Sequence, residues 1–318
     1  MAIKNLDYEC YLDALRKYSE HQEDWLKVGY APQGFYLKDF CLIEANDLFH
    51  LFHIAGTPGV SCCLPGNEVW FGHAATRDFQ TWKTLEPCLY IQPDSWDNGH
   101  VFAPFVLKKD DLFWMFYTGC AIDNTQRIGV ATSENLQNWQ RISDRPVIRP
   151  EEFEWAFCPT EKGSACRDPH ICKWSDEYSL YYTAVTKDGK GCVARATSND
   201  LVNWTDRGPA YTFSKLNHCE SSNVQELDDR YLLFFGGHHE YWSYVISDNP
   251  YHWPDQEPVA LEKGITAMEV IRRAGKRWLV AYFKFDCYRM FLGIVDWSER
   301  HPTICEISSA EELVQFGI

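Results

Sequence analysis

The chain repeats one pattern five times, and this repetition limits the folds open to it more than any other feature. Each copy has an apolar strand, a polar turn, an aromatic strand, a third strand and a closing tryptophan. The copies begin near residues 39, 101, 167, 220 and 268. Short strands at regular spacing, without helices between them, are typical of a β-propeller, in which each sheet packs on its neighbours.

The unit is recognisable at residue level. Residues 74–76, 131–133 and 196–198 read Ala-Ala-Thr, Ala-Thr-Ser and Ala-Thr-Ser, each a few residues before a tryptophan. The closing tryptophans are Trp82, Trp139, Trp204, Trp253 and Trp297. Because a β-sandwich requires no fivefold similarity, the repeat predicts an all-β fold, a five-bladed β-propeller that forms a catalytic domain over residues 35–318.

Two segments near the chain ends can complete this ring. Residues 303–307 or a strand from the N-terminal region would supply the fourth strand of the last blade. Downstream, the sequence Ser308-Ser309-Ala310-Glu311 has the spacing of a capping box and predicts a brief terminal helix.

Residues 1–34 have a different period. Apolar and aromatic side chains recur at helical spacing, at Tyr8, Tyr11, Leu12, Leu15 and Tyr18. This pattern predicts a short N-terminal helical extension that docks on the outside of the propeller. The sharper alternative is a helix that binds a partner or a second copy of the chain, which would make the protein a homo-oligomer.

Charge and cysteine content restrict the partners and the compartment. The formal net charge of −15 disfavours binding to nucleic acid or to an anionic membrane, because both are negatively charged. The 13 cysteines are odd in number and contain no CxxC pair, which favours reduced thiols. With no secretion signal and no membrane-spanning run in the sequence, we expect a cytoplasmic protein.

Three acids stand at or near the starts of inner strands: Asp39 in the first unit, Asp168 in the third and Glu220 in the fourth. In a propeller these starts meet at one end of the central axis. One such acid is as often a solvated strand-end side chain, but three at matching positions favour a shared pocket. Hydrolysis of a glycosidic bond requires a proton donor and a carboxylate, and crowded carboxyls raise the pKa of at least one.

Several motifs resemble known glycosidases. The tripeptide Arg167-Asp168-Pro169, the tract 71–82, and Asp39 upstream of residues 49–52 resemble the β-fructosidases of glycoside hydrolase family 32. Residues 102–104 (Phe-Ala-Pro) and the compact length are more similar to family 43, the arabinofuranosidases and xylosidases. Both families share a five-bladed propeller, and the resemblance covers roughly residues 35–300.

The resemblance implies roles for four residues. Asp39 would be the nucleophile of a retaining enzyme or the general base of an inverting one. Asp168 would stabilise the transition state or modulate a pKa, and Glu220 would be the general acid. Arg167 would bind sugar hydroxyls or keep Asp168 charged. We therefore expect a hydrolase for a small fructosyl or arabinosyl oligosaccharide, with no cofactor.

Other side chains are candidates for contact with the sugar, since aromatic faces stack on C–H groups and histidines donate to hydroxyls. These candidates are Trp70, His73, His100, Phe102 and His238. Glu269, in the fifth inner strand, is a fourth candidate acid that would replace one of these three. No metal site is assigned, because residues 238–240 lack a third ligand at a characteristic spacing.

Two other functions fit the same fold. A glycoside phosphorylase would use phosphate in place of water and would need basic residues at the funnel, where Arg167 is the one candidate. A non-catalytic propeller would bind sugar or a protein partner, and its carboxylates would be incidental.

Overall fold

Five four-stranded antiparallel sheets, each formed by consecutive strands, make up the protein. The computed structural model describes residues 28–158, 165–213, 219–237, 241–284, 287–299 and 301–318. The predicted count of five blades is confirmed.

The strands follow the chain from the axis outwards in every blade. Blade 1 contains β1 (Tyr36–Ala45), β2 (Leu48–Gly56), β3 (Phe71–Thr76) and β4 (Trp82–Cys88). Blade 2 contains β5 (His100–Lys109), β6 (Leu112–Cys120), β7 (Gln126–Ser133) and β8 (Gln140–Arg141). Blade 3 contains β9 (Cys166–Trp174), β10 (Glu177–Val185), β11 (Gly191–Ser198) and β12 (Thr205–Phe213). Blade 4 contains β13 (Glu220–Leu227), β14 (Arg230–Gly237), β15 (Tyr241–Ser247) and β16 (Val259–Lys263). Blade 5 contains β17 (Ile265–Ala274), β18 (Arg277–Lys284), β19 (Met290–Asp296) and β20 (Ile304–Glu306).

The inner strands close a ring. β1 contacts β5, and the contacts continue through β9, β13 and β17 back to β1. Apolar side chains form clusters between neighbouring blades; one joins Leu51 of blade 1 to Leu279 of blade 5, and the next joins Phe71 to Tyr117 of blade 2. Both faces of a sheet are therefore removed from water, which accounts for the apolar and aromatic content of the middle strands.

The repeated Thr or Ser after the third strand forms a turn. In blade 1 the Thr76 hydroxyl accepts a hydrogen bond from the Phe79 amide at 3.0 Å, and the Asp78 carboxylate accepts from the next two amides. Ser133 and Ser198 form the same kind of turn in blades 2 and 3. The motif fixes the chain reversal that carries each closing tryptophan back against its blade.

The C-terminal segment completes blade 5. β20 pairs with β19, so the first of the two predicted closures is confirmed. A 3₁₀ helix, Ala310–Phe316, follows, and its N-cap is Ser309 with Glu312 as the reciprocal partner, one residue later than the predicted capping box. Its buried Leu313 and Phe316 pack into the cluster between blades 5 and 1.

The prediction of a helical N-terminal extension over residues 1–34 is wrong for residues 28–34. Residues 1–27 lie outside the described residues. Residues 28–34 contain no helix; Tyr30 forms an antiparallel bridge with Met290 and is 5% exposed. The packing of the propeller thus begins before residue 35. Among the residues that the structure describes, no helix has the length and apolar character of a membrane span.

Candidate active site

Every inner strand contains one extra residue at the same level, a β-bulge. In blade 1 this residue is Asp39, which lies between the paired residues 38 and 40. In the other blades the bulge begins at a residue with positive φ: Ala103 (44°), Asp168 (60°), Ser221 (52°) and Ala267 (50°). A bulge twists its strand and redirects a side chain. All five residues line one cavity on the axis, and we call them the bulge ring.

The residues just before the bulges form a second level of matching positions, namely Lys38, Phe102, Arg167, Glu220 and Thr266. The expectation that all three acids occupy matching positions is therefore wrong for Glu220, which matches Arg167 and not Asp168. As neighbours at this level, Arg167 of blade 3 and Glu220 of blade 4 meet, with Nη2 and Oε1 2.5 Å apart.

Asp168 is buried and held by donors from two blades. Its Oδ2 accepts hydrogen bonds from the Thr183 hydroxyl and the Ser221 amide, both at 2.9 Å, and lies 3.6 Å from Nε of Arg167. Its own amide donates to the Thr118 hydroxyl at 3.0 Å. Burial raises the pKa of Asp168, while Arg167 and the two donors act in the opposite direction.

Asp39 is linked to Asp168 through a single residue. The Ser221 hydroxyl donates to Oδ1 of Asp39 at 3.2 Å, while the Ser221 amide binds Asp168. Burial, and then the nearby charge of Asp168, raise the pKa of Asp39 to about 7. Lys38 and Ser221 favour the ionised form and limit this rise.

Glu220 is more accessible to solvent than Asp168, since its side chain is 40% exposed and that of Asp168 is 8% exposed. Its partner Arg167 has a side chain only 15% exposed and also donates to Gln126 at 3.3 Å. Burial alone would lower the pKa of Arg167, but the carboxylates of Asp168 and Glu220 outweigh it and raise the pKa. The guanidinium stays charged and fixes Glu220 at the mouth of the site.

A buried cation and anion adjoin Asp39. Nζ of Lys38 lies 2.8 Å from Oε1 of Glu68, which also accepts a hydrogen bond from the Tyr36 hydroxyl at 2.8 Å. Burial alone would lower the pKa of Lys38, yet Glu68 and Asp39 raise it. Glu68 is 1% exposed and belongs to the loop between β2 and β3. Lys38, directly before Asp39, thus has its own counter-ion.

The predicted sugar-contact residues differ in their burial and in their contacts. His73 is 2% exposed, stacks on Phe52 and bonds His50 at 3.0 Å, so its prediction is corrected: it is a packing residue of blade 1. His100 is also buried, and Nδ1 lies 2.8 Å from the Asn67 carbonyl oxygen, which secures the loop that carries Glu68.

Three more candidates remain. Phe102 is 7% exposed and lies under the Lys38 ammonium, 5.8 Å from its ring centroid, so it supports the site from behind that lysine. Trp70 is half-buried against Phe35 in the loop leading to β3, and its contact with sugar stays a prediction. His238 lies outside the described residues.

Polar groups deeper in the axial cavity include Glu269, His170 and Ser222. Burial raises the pKa of Glu269 to about 8, so its carboxyl is neutral near pH 7. Nδ1 of His170 and Oγ of Ser222 are buried without a hydrogen-bond partner. Within the described ranges, no group of three or more His, Cys, Asp or Glu side chains is arranged to hold a metal ion.

Ser221, Thr183 and the Lys38–Glu68 pair are functional candidates that sequence reasoning missed. Ser221 becomes recognisable only once the bulges are seen in the structure, because it then has the same position in blade 4 as Asp168 in blade 3. Glu68 gives no such signal, since it is remote in sequence and lies in a loop without a repeat equivalent. Together these groups form a chamber with one buried acid, two half-buried acids and a fixed guanidinium, which suits acid/base attack on a neutral polar ligand.

The model of the Glycosyl hydrolases family 32 N-terminal domain matches residues 31–256. Fructan 1-exohydrolase w3 of Triticum aestivum is 27% identical over 199 residues, which are 60% of this chain and 30% of the relative. Sucrose-6-phosphate hydrolase of Vibrio alginolyticus is 27% identical over 199 residues, which are 61% of this chain and 38% of that relative. The chain spans about a third of the length of these curated relatives.

Solved structures share the fold. The family 32 β-fructofuranosidase of Bombyx mori has a TM-score of 0.71 at 14% identity, covering 96% of this chain and 71% of that one. Fructan 1-exohydrolase IIa of Cichorium intybus has a TM-score of 0.70 at 17% identity, and the match covers 90% of this chain and 61% of that one. A thermostable family 43 glycoside hydrolase has a TM-score of 0.68 at 14% identity, covering 89% and 96%.

Proposed function

The chain belongs to glycosyl hydrolase family 32, and from this premise we propose that it hydrolyses the glycosidic bond of a small fructofuranoside. The observation that carries the proposal is the linkage of three acids from blades 1, 3 and 4, in which Ser221 bonds both aspartates and Arg167 holds Glu220. Relatives from Bombyx mori and Cichorium intybus are solved with sucrose and with 1-kestose, which supports this substrate class. We also propose that the protein is located in the cytoplasm.

In the proposed reaction, the Asp39 carboxylate attacks the anomeric carbon of the fructosyl unit. Glu220 protonates the glycosidic oxygen as its bond to that carbon breaks, and the aglycone leaves as an alcohol. Glu220 then removes a proton from water, whose oxygen displaces Asp39 and releases the free sugar. Asp168 supports the positive charge of the transition state and binds hydroxyls next to the reacting carbon.

The geometry gives each group a reason for its role. The Glu220 side chain is 40% exposed, which suits a residue that must exchange a proton in every cycle. Asp39 is close to Lys38 and Ser221, both of which favour a carboxylate, as a nucleophile requires. Arg167 keeps Glu220 in place when the second step begins.

The test is release of fructose from sucrose and 1-kestose by the purified full chain, with and without inorganic phosphate. We expect free fructose in both conditions. Asp39→Asn and Glu220→Gln should each lower kcat by at least about 10³-fold while circular dichroism stays unchanged. Unchanged turnover in both variants would refute the assignment, and a sugar phosphate as product would identify a phosphorylase.

A further inference from the structure

An ion pair with a fully buried carboxylate stands beside the proposed nucleophile. Nζ of Lys38, the residue directly before Asp39, lies 2.8 Å from Oε1 of Glu68. The Glu68 side chain is fully buried, whereas that of Lys38 is 17% exposed and its ammonium lies 5.8 Å from the centre of the Phe102 ring. An ammonium has three N–H donors, so Lys38 can bind Glu68 and still donate to a ligand at its accessible side.

The position of Glu68 is fixed by groups other than Lys38. Its Oε1 also accepts a hydrogen bond from the Tyr36 hydroxyl at 2.8 Å, and its Oε2 accepts one from the Cys63 amide at 3.0 Å. Its carbonyl oxygen accepts a hydrogen bond from the Val101 amide of β5 at 3.1 Å. Contacts from two inner strands and one loop thus hold the carboxylate, and the carboxylate in turn holds the ammonium.

The charges at the mouth of the site are paired. We call the level just before the bulges the rim, and its two cations are Lys38 and Arg167. Nζ of Lys38 lies 2.8 Å from Glu68, and Nη2 of Arg167 lies 2.5 Å from Glu220. A cation beside a carboxylate can still donate to a hydroxyl, but it attracts an anion only weakly, because the anion also meets the carboxylate. The rim therefore favours an uncharged sugar over a sugar phosphate.

We propose that the Lys38–Glu68 pair determines the charge specificity of the site: Lys38 donates to a hydroxyl of an uncharged fructosyl unit, and Glu68 disfavours a fructosyl unit that carries phosphate. This inference rests on the proposed function, since it concerns the sugar bound beside Asp39. Lys38 contacts the substrate in this scheme. Glu68 is a positioning residue that acts through the place and the charge of the ammonium.

Substitutions within the pair change its net charge in a defined way. Glu68→Gln removes the negative charge and keeps an oxygen acceptor for Lys38, so the ammonium is no longer neutralised. The double variant Lys38→Met/Glu68→Gln removes both charges, and its pair is neutral like that of the native chain. A phosphorylated sugar should therefore gain from the single substitution and lose this gain in the double variant.

The experiment compares kcat/KM for sucrose with kcat/KM for sucrose phosphorylated on carbon 6 of the fructosyl unit, at low ionic strength where charges are least screened. The native full chain should prefer sucrose at least about tenfold. Glu68→Gln should reduce this preference at least about threefold, and the double variant should restore it to within about twofold of the native value. Both rates come from one preparation, so their ratio does not depend on the fraction of a variant that is folded.

Lys38→Met tests the contact with the uncharged sugar. Loss of a hydrogen bond from a charged donor should lower kcat/KM for sucrose about 10- to 100-fold. Lys109→Met is the matched control, because Lys109 ends the inner strand β5 and its Nζ lies 2.9 Å from Asp110. Its kcat/KM for sucrose should stay within about twofold of the native value. An unchanged kcat/KM in Lys38→Met would overturn the contact.

Glu44→Gln is the matched control for Glu68→Gln, because Glu44 lies on β1 and is 2.6 Å from Arg272. It should leave the preference for sucrose unchanged. An unchanged preference in Glu68→Gln would overturn the proposed specificity, as would a reduced preference that the double variant does not restore, or a native chain that prefers the phosphorylated sugar. If the native chain hydrolyses neither sugar, the proposed function fails and this inference with it. Hydrolysis of sucrose with the same preference in every variant would refute the inference alone.

Discussion

Ser221 bonds both Asp39 and Asp168, and its hydroxyl and its amide therefore affect different acids. Replacing it by alanine removes the bond to Asp39 and keeps the bond to Asp168. The lost bond favoured the carboxylate, and the pKa of Asp39, already about 7, should therefore rise further. We predict that Ser221→Ala shifts the acidic limb of the kcat/KM profile upward by about one pH unit.

Ser222→Ala is the matched control for this prediction. Ser222 is buried at 3% exposure, and its hydroxyl has no hydrogen-bond partner. Its removal should leave the pH profile in place. An unshifted limb in Ser221→Ala would mean that a group other than Asp39 controls this part of the profile.

The residues of the site were predictable from sequence to different degrees. Asp39 and Asp168 were identifiable because each interrupts an apolar strand at the same point of the repeat. Glu220 was identified for a partly wrong reason, since it lies one residue before the bulge. The prediction that His73 contacts the sugar was wrong. Its partner His50 lies on the neighbouring strand, and this contact is visible only in the folded sheet.

Among the elements, the terminal 3₁₀ helix gives the clearest stability prediction. Leu313 is 1% exposed in the cluster between blades 5 and 1, whereas its neighbour Val314 is 70% exposed. Leu313→Ala should lower the free energy of unfolding by about 3 kcal/mol, because it leaves a cavity at the closure of the ring. Urea denaturation measures the change, and Val314→Ala should stay within about 0.5 kcal/mol of the native chain. Equal effects would show that the helix does not secure the closure.

The blades were predictable because strand alternation and turn residues are local signals. The bulges were not, because two of the four positive-φ positions are alanines, a residue type that gives no warning of that conformation. The bulge register is fixed by contacts between inner strands of neighbouring blades. A single unit of the repeat does not contain that information.

For the whole molecule, ionisable groups with shifted pKa values predict that stability falls between about pH 6.5 and about pH 8. His53 and His170 have pKa values lowered to about 4 by burial, so they gain stability as pH rises to the pKa of an unfolded histidine, about 6.5. Asp39 and Glu269 have pKa values raised to about 7 and about 8. Their folded forms retain protons that the unfolded chain loses near pH 4, so these two groups lower stability as pH rises from about 4 to their folded pKa values. The two histidines offset this loss up to about pH 6.5, and above that pH stability falls.

Melting temperatures between pH 6.5 and 8.5 test the descending side. Each raised carboxyl costs at most about 1.4 kcal/mol per pH unit in this window. Glu269→Gln, which stays neutral, should flatten the fall. A native chain whose melting temperature rises over this range would show that these carboxyls ionise freely in the folded state. Catalysis by ionised Asp39 would strengthen over the same range, so the working state and the most stable state differ in protonation.

The bulge ring is the level of the propeller at which the chemistry of the side chain differs from blade to blade. Blades 1 and 3 hold aspartate there, blade 4 holds serine, and blades 2 and 5 hold Ala103 and Ala267, whose positive φ costs about 1 kcal/mol each. All five positions line the same hollow, and Ala103 and Ala267 also pack in the apolar clusters between neighbouring blades. One side chain per blade therefore sets the chemistry at this height, and the two alanines are the positions without a functional group.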